Sequence, residues 1–215
     1  MNLRVSFIAI IIFTVACALP HFSIRDHRIY DQNGGERIFH GINLVGKEPP
    51  YYDPKFGEKD LAELQRTGVN GLRLGVMWPG VEPKKDQFDQ SYLDRMVQLV
   101  NTAGKYNIYT LVEFHQDLFS EKFCGDGVPL WAIPREVYES FPFPVTLHKA
   151  PFDNETGLPT SKTCSKAWGE YYSTRAVNKG FGHLYKNKGG LLDRFIIYWK
   201  KVATAFKGNP FVIAY

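Results

Sequence analysis

The sequence lacks any concentration of charge of one sign. Its 26 Lys and Arg residues are scattered among 22 Asp and Glu residues, and the formal net charge is +4. Proteins that bind nucleic acids, and segments that attach to membranes electrostatically, carry clustered basic residues. We therefore predict no nucleic-acid partner and no polybasic membrane anchor, and we interpret the charge as favouring solubility.

Two signatures of cofactor binding are missing as well. No glycine-rich dinucleotide fingerprint follows the first predicted strand, which disfavours a Rossmann fold. His115 and Asp117 could be read as a metal pair, but the sequence has no second histidine cluster with the spacing of metal ligands. We therefore predict no metal and no cofactor.

The apolar run at the N-terminus is too short for a membrane-spanning helix. Such a helix needs about 20 apolar residues, whereas this run extends from Val5 to Val15 and Pro20 follows soon after it. Arg4 precedes the run and Ala16-Cys17-Ala18 follows it, a small-x-small pattern that signal peptidase accepts. Residues 1–18 are predicted to be a signal peptide, and the alternative is an uncleaved anchor.

Cysteine is scarce, with three residues in the chain. Removal of the signal peptide leaves Cys124 and Cys164, an even pair entering an oxidising compartment, which favours a disulfide. Asn154 begins an N-glycosylation acceptor between them, among residues typical of an exposed loop. The protein is predicted to be secreted or to reside in the lumen of the endomembrane or lysosomal system.

Strands and helices alternate along residues 37–215. The predicted strands lie near residues 37–45, 72–76, 108–114 and 211–215, and the predicted helices at 58–67, 91–103 and 192–206. The last helix has the clearest periodicity, with a predicted apolar stripe of Leu192, Phe195, Ile196, Trp199, Val202, Ala203 and Phe206. Because no two strands follow one another, the sheet should be parallel, either doubly wound or closed as a barrel.

These elements supply only part of a barrel. A (β/α)8 barrel typically needs about 250 residues, and the long stretch 115–165 leaves room for four strands. The predicted fold is α/β, a TIM barrel with only about the first four β/α units present. Residues 19–36 are its N-terminal lead-in, and residues 37–215 are its N-terminal half, truncated at the fourth strand.

Polar residues follow the predicted strand ends, where the chemistry of such barrels takes place. They are Asn43, Lys47, Arg73, His115 and Asp117. A guanidinium within an apolar strand has to meet a carboxylate, because burying it unpaired would cost several kcal/mol. We predict that Arg73 pairs with Glu113 or with a residue beyond Tyr215, and the alternative is an ordinary ion pair on the barrel rim.

Three motifs together resemble those of endoglycoceramidases, which are family-five, clan-A glycoside hydrolases. They are His40-Gly41-Ile42-Asn43, Gly68-Val69-Asn70 with Arg73, and His115-Gln116-Asp117 followed by Gly125-Asp126-Gly127-Val128-Pro129-Leu130-Trp131. The first two are shared by many family-five cellulases and glucosidases, and the third is fairly specific. The resemblance covers residues from about Arg37 to Tyr215. It implies retaining hydrolysis of the bond between the glycan and the ceramide of a glycosphingolipid.

The resemblance also implies roles for individual residues. Arg73 resembles the arginine beside the catalytic nucleophile, and His115 resembles the histidine that lines the sugar site next to the cleaved bond. Lys47 and Asp117 resemble groups that hydrogen-bond sugar hydroxyls, and Asn43 joins them as a candidate substrate-binding residue. Trp131 is interpreted either as a platform for a sugar ring or as an ordinary packing residue.

The catalytic residues of that family are two glutamates. In retaining enzymes these carboxyl groups stand about 5–5.5 Å apart, and in the family they follow the fourth strand and end the seventh. Both are expected beyond Tyr215, so the chain is predicted to be inactive alone. The alternatives are a non-catalytic protein that binds glycolipids or carbohydrates, and another family-five β-glucosidase or cellulase-like enzyme.

One apolar segment, residues 141–145, would be unfavourable in a solvated loop. We interpret this segment either as a contact for ceramide tails or for the bilayer surface, or as packing beneath its own loop.

Overall fold

The computed structural model describes residues 22–139, 155, 164 and 168–215. The predicted signal peptide, the acceptor Asn154 and the apolar segment 141–145 lie outside these residues. The chain divides into two compact units, Met1–Arg37 and Ile38–Tyr215. Among the described residues, no helix is both long enough and apolar enough to cross a membrane.

The described part of the first unit is a small antiparallel hairpin. Strand β1 (Ser23–Arg25) pairs with strand β2 (Arg28–Tyr30). Asp26 and His27 form the turn with positive φ angles of 47° and 61°, a conformation that Asp, Asn and His adopt more readily than other side chains. The hairpin was not predicted for this lead-in, because three-residue strands are too short for a clear alternation of apolar residues.

The second unit is built on a four-stranded parallel sheet. Its strands are β3 (Gly41–Leu44), β4 (Gly71–Gly75), β5 (Tyr109–Glu113) and β6 (Val212–Ala214), in the order β3-β4-β5-β6. All three neighbouring pairs are parallel. The four predicted strands are therefore confirmed: β3, β5 and β6 are shorter than predicted, and β4 has the predicted length but begins one residue earlier. Neighbours in sequence are neighbours in the sheet, which is the order of a barrel rather than of a doubly wound sheet.

Helices connect the strands. They are α1 (Glu58–Arg66), α2 (Trp78–Val81), α3 (Gln90–Lys105), α4 (Arg135–Tyr138), α5 (Arg175–Tyr185) and α6 (Leu191–Phe206). Short 3-10 helices occupy Glu121–Phe123, Leu130–Ala132, Trp168–Ser173 and Lys188–Gly190. The predicted helices correspond to α1, α3 and α6. Helices α2 and α4 have only four residues each, and α5 was missed because it follows a long irregular stretch.

The core lies between the sheet and helices α3 and α6, and an aromatic cluster is its centre. Trp78 is fully buried and stacks on Tyr198, with ring centroids 5.6 Å apart. The predicted stripe on α6 is wrong in detail, because Ile196 is exposed and the fully buried Tyr198 was left out. A tyrosine is tolerated there because its hydroxyl donates a hydrogen bond to the carbonyl oxygen of Val76.

A charged group is also buried in this region. Glu82, just after α2, has no exposed surface. Its carboxylate pairs with Arg194 of α6 and accepts hydrogen bonds from the Trp78 indole (3.1 Å) and from the Asp86 backbone N–H (2.9 Å). Arg194 also pairs with Asp86 at 2.7 Å. A buried carboxylate is stable only when its oxygens have such partners. Since these partners come from α6 and from the segment around α2, the Glu82–Arg194 pair fixes α6 against the end of α2.

We expect Glu82→Gln to lower the free energy of unfolding by about 3 kcal/mol or more, because it leaves the largely buried Arg194 without its enclosed counter-ion. Asp86→Asn is the matched control, since it removes the other partner of the same arginine. The Asp86 side chain is 67% exposed, so the control should cost less than about 1 kcal/mol. Urea unfolding of both variants measures the difference in free energy of unfolding. Equal losses of stability in the two variants would show that the burial of Glu82 does not determine its contribution.

The predicted disulfide between Cys124 and Cys164 is confirmed. Their Cα atoms are 5.6 Å apart and their sequence separation is 40 residues. We expect a non-reducing peptide map to show the two cysteine peptides joined, whereas two free thiols would refute the bridge. Closing a loop of this length should stabilise the fold by about 4 kcal/mol through the unfolded state, and unfolding of the Cys124→Ser, Cys164→Ser double variant measures this contribution.

Candidate functional site

The parallel sheet brings the ends of β3, β4 and β5 to one edge. Asn43 lies beside Arg73 in the register of β3 and β4, and Gly75 at the end of β4 lies beside Glu113 at the end of β5. Since the three strands run in the same direction, the residues that follow them are brought together whatever their separation in sequence. The strand-end residues predicted from the sequence therefore share one edge.

Arg73 pairs with Glu113, as one of the two predictions proposed. The expected burial of the arginine is not found, because its side chain is 43% exposed whereas that of Glu113 is only 10% exposed. On β4 the flanking Leu72 and Leu74 face the core, so the alternation of a strand turns Arg73 to the other face. The carboxylate is thus the enclosed member of the pair.

Glu113 also holds His115. Its Oε1 atom lies 3.0 Å from His115 Nδ1. A proton on Nδ1 is donated to Glu113, and the Nε2 atom lies on the other side of the ring. The Nε2 atom is 3.4 Å from Asp117 Oδ2. Glu113 was named in the sequence analysis only as a partner for Arg73, and its contact with His115 adds a second function in the site.

Lys47 connects the loop after β3 to the loop after β5. Its ammonium pairs with Asp117, and it lies 3.5 Å from Oδ2 of Asp126. Burial opposes the charge on Lys47, but the hydrogen bond to Asp117 and the negative charge of Asp126 outweigh it and raise the pKa of Lys47. The two predicted sugar-binding residues are therefore in direct contact. Asp126 was quoted as part of a motif but was not predicted as a site residue.

Asp117 has a second partner that the sequence analysis missed. The hydroxyl of Tyr172, in the 3-10 helix Trp168–Ser173, donates to Asp117 Oδ1 at 3.2 Å. Burial alone would raise the pKa of Asp117, but the Lys47 hydrogen bond and charge, the charge of His115 and the Tyr172 hydrogen bond together lower it. No sequence pattern marks Tyr172, because it follows no predicted strand and is 55 residues from Asp117 in the sequence.

His115, Asp117 and Asp126 each offer a possible metal ligand atom, and these atoms lie within 4.8 Å of one another. The Lys47 ammonium contacts both carboxylates, so their charge is already compensated by the protein. Nothing in this donor set calls for a cation, and the absence of a metal stays a prediction.

Trp131 is held by packing contacts. Its indole N–H donates to the carbonyl oxygen of Glu82 at 2.9 Å, and its ring meets the edge of Trp78 at a centroid distance of 6.2 Å. The Arg194 guanidinium lies over the ring, 5.4 Å from its centroid. These contacts agree with the packing interpretation, and the role of Trp131 as a sugar platform stays a prediction.

A second carboxylate–hydroxyl pair lies next to these charges. The Tyr51 hydroxyl donates to Glu121 Oε1 at 2.8 Å. Burial raises the pKa of Glu121, the Tyr51 hydrogen bond opposes that shift, and the negative charges of Asp126 and Glu48 add to it. Glu121 therefore holds its proton more tightly in the folded chain than in the unfolded chain.

We expect Glu121→Gln to stabilise the protein at neutral pH and to have no such effect near pH 4. The folded-state pKa of Glu121 lies above the unfolded value, so wild-type stability from this group is complete below the unfolded pKa and declines as pH rises through the folded pKa. Gln keeps an oxygen acceptor for Tyr51 but carries no charge. Urea midpoints measured from pH 4 to pH 8 test this, and a difference that does not vary with pH would refute it.

The fold and the site together define a class of protein. A parallel β/α sheet in barrel order carries, at the carboxyl ends of its strands, a connected set of charged groups that can exchange hydrogen bonds with a polyhydroxylated ligand. Comparison with known proteins identifies the family. Residues 30–215 match cellulase (glycosyl hydrolase family 5), and the chain belongs to that family.

Two relatives are the endoglycoceramidases of Hydra vulgaris and Cyanea nozakii. Each is 42% identical to this chain, over 197 and 196 residues, and each match covers 87% of the chain. The same matches cover only 38% and 39% of the relatives. The chain therefore spans less than half the length of the relatives that it matches.

Solved structures agree with this assignment. Endo-glycoceramidase II from Rhodococcus sp. superposes with a TM-score of 0.65 at 27% identity, and the match covers 86% of this chain and 40% of that one. The complex of the same enzyme with ganglioside GM3 gives a TM-score of 0.66 at 26% identity. The predicted fold class is confirmed: the chain is the part of a family-five TIM barrel that contains its first four strands.

Proposed function

We propose that this chain is part of a retaining glycoside hydrolase that cleaves the β-glucosidic bond between the glycan and the ceramide of glycosphingolipids. The observation that carries the proposal is the connected set of charges at the strand ends, from Arg73 through Glu113, His115 and Asp117 to Lys47. Support comes from the relatives named as endoglycoceramidases and from a structural neighbour solved with ganglioside GM3.

In this proposal, Lys47 and Asp117 bind sugar hydroxyls. Each carries a full charge, and charge-assisted hydrogen bonds are roughly twice as strong as neutral ones. Lys47 keeps 51% of its side chain exposed, so its ammonium can reach a ligand without leaving Asp117. Asn43, beside Arg73 in the sheet, is proposed to contact the substrate from the first strand.

His115 and Arg73 are proposed to support the reaction centre. Glu113 fixes the His115 ring through Nδ1, and it also fixes the Arg73 guanidinium. A guanidinium with further N–H donors and an exposed surface can approach a second carboxylate and lower its pKa, which keeps a nucleophile ionised. The acid/base and nucleophile glutamates are proposed to lie outside these 215 residues, so that this chain alone would not catalyse hydrolysis.

The proposed location is the secretory route, either extracellular or in the endomembrane or lysosomal lumen. The N-terminal pattern of residues 1–18 supports a signal peptide, and the Cys124–Cys164 bridge is of a kind that persists in oxidising compartments. We propose glycosylation at Asn154 on the same grounds. Contact of residues 141–145 with ceramide or a membrane surface is a further part of the proposal.

The first test is to sequence the transcript through and beyond the codon for Tyr215, and to assay the product of the complete reading frame on a glycosphingolipid. We expect release of the intact glycan and of ceramide, with the β configuration retained in the first product seen by proton NMR. Release of glucose alone would favour another family-five β-glucosidase. Binding without cleavage would favour a non-catalytic glycolipid-binding protein.

We expect Asp117→Asn to lower kcat/KM on this substrate about 10- to 100-fold, because a hydrogen bond to a charged group contributes about 1.5–3 kcal/mol. Asp53→Asn is a suitable control, because Asp53 is an exposed acid whose carboxylate accepts a hydrogen bond from the backbone of Lys55. Activity of Asp117→Asn equal to that of the control would contradict a role for Asp117 in substrate binding.

A further inference from the structure

Asp126 is the most enclosed acidic residue around the strand-end site, with 1% of its surface exposed. Aspartate is almost never buried unless it is paired, because its charge loses hydration energy. Asp126 lies beyond the motif residue Asp117, and no role was predicted for it. We propose that Asp126 is a positioning residue that holds Lys47 and Asp117 in the geometry that binds sugar. This inference rests on the proposed function.

The two carboxylate oxygens of Asp126 serve the two members of the pair. Oδ1 accepts a hydrogen bond from the backbone N–H of Asp117 at 3.0 Å. Oδ2 lies 3.5 Å from the Lys47 ammonium. One buried group thus fixes both the backbone that carries the Asp117 side chain and the cation that contacts that side chain.

The loop between the two aspartates is closed in a way that leaves Asp126 little freedom. The backbone N–H of Asp126 donates to the carbonyl oxygen of Asp117 at 2.7 Å, and the two residues form an antiparallel bridge. A side chain at Gly125 would overlap the carbonyl oxygen of Asp117. Gly127 has a φ of +122°, where a side chain would be strained and would meet Gln116. The flanking glycines therefore allow the close approach that buries the Asp126 carboxylate.

The hydrogen bond that Asp126 accepts does not explain why a charged residue occupies this position. A neutral asparagine oxygen could accept the Asp117 N–H equally well. A charged group in the same place has to lose its hydration, and burying an ion pair is seldom a source of stability. The nearby cation that uses the charge is Lys47, which would otherwise be held by Asp117 alone.

Within the described part of the chain, the ionisable groups that interact with Asp126 are Lys47, His115, Asp117, Glu121 and Tyr172. Burial raises the pKa of Asp126, the charges of Lys47 and His115 oppose this, and the charge of Asp117 adds to it. Asp117 has a lowered pKa, so acidification protonates Asp126 before Asp117. Lys47 then loses the first of its two counter-ions as the pH falls.

The test compares wild type with Asp126→Asn in the product of the complete reading frame. The asparagine keeps the acceptor for Asp117 and removes the charge that faces Lys47. We expect KM for a glycosphingolipid to rise about 10-fold while kcat changes less than about 2-fold, because the lost interaction binds substrate and transition state alike. We expect the wild-type KM to rise on acidification as Asp126 becomes protonated, and this rise should be absent from the variant.

Glu121→Gln is the matched control, because it neutralises a neighbouring partly buried carboxylate that contacts Tyr51 and not Lys47. It should leave KM at neutral pH as in wild type. Equal KM values for wild type and Asp126→Asn, or equal changes in both variants, would overturn the proposal. Urea unfolding of each variant shows whether a change in KM accompanies a loss of structure.

A second measurement does not depend on enzymatic activity. Lysine-selective NMR should show the Lys47 side-chain signal shifting in wild type as Asp126 titrates. The pKa of Lys47 should be lower in Asp126→Asn than in wild type. If the wild-type protein cleaves no glycosphingolipid but Lys47 responds in this way, the proposed function fails and the positioning role stands. If the Lys47 signal is insensitive to Asp126 in both samples, the positioning role is wrong.

Discussion

The ion pair between Lys47 and Asp117 joins two segments that are 70 residues apart in the chain. It can form because β3 and β5 run parallel on either side of β4 and end at the same edge. Three other groups of the site contact Asp117: the His115 ring, the Tyr172 hydroxyl and the Asp126 carboxylate. The sheet register thus determines which charges can meet.

The chain handles its buried acids in two different ways. Glu82 is enclosed among aromatic rings and is compensated by Arg194, so its effect is to fix one helix against another. Asp126 is equally enclosed but faces Lys47, a cation that remains half exposed. A buried charge with a buried partner stabilises the packing of two helices. A buried charge with an exposed partner instead positions a group that a ligand can reach.

Features that depend on nearby residues could be predicted from the sequence, whereas features that depend on contacts between distant residues could not. Four strands and helices α1, α3 and α6 were predictable, because apolar periodicity is a local property. Lys47, Arg73, His115 and Asp117 were predictable as a set, since each follows or lies within a strand of a parallel sheet. Tyr172 was not, because it follows no strand and meets Asp117 across 55 residues of sequence. The exposure of Arg73 was misjudged because an apolar strand has two faces, and only one packs against the core.

The disulfide between Cys124 and Cys164 has a consequence for the variability of this region. Cys124 lies two residues before Asp126, so the bridge anchors the start of the long segment immediately beside the group that supports Lys47. The far end of the bridged segment is tied to the same point. Insertions well after Gly127 and before Cys164 can therefore lengthen this segment without altering the spacing of the charges at the strand ends. The bridge thus lets the later part of this segment vary in length while Asp126 and its flanking glycines keep their place beside Lys47.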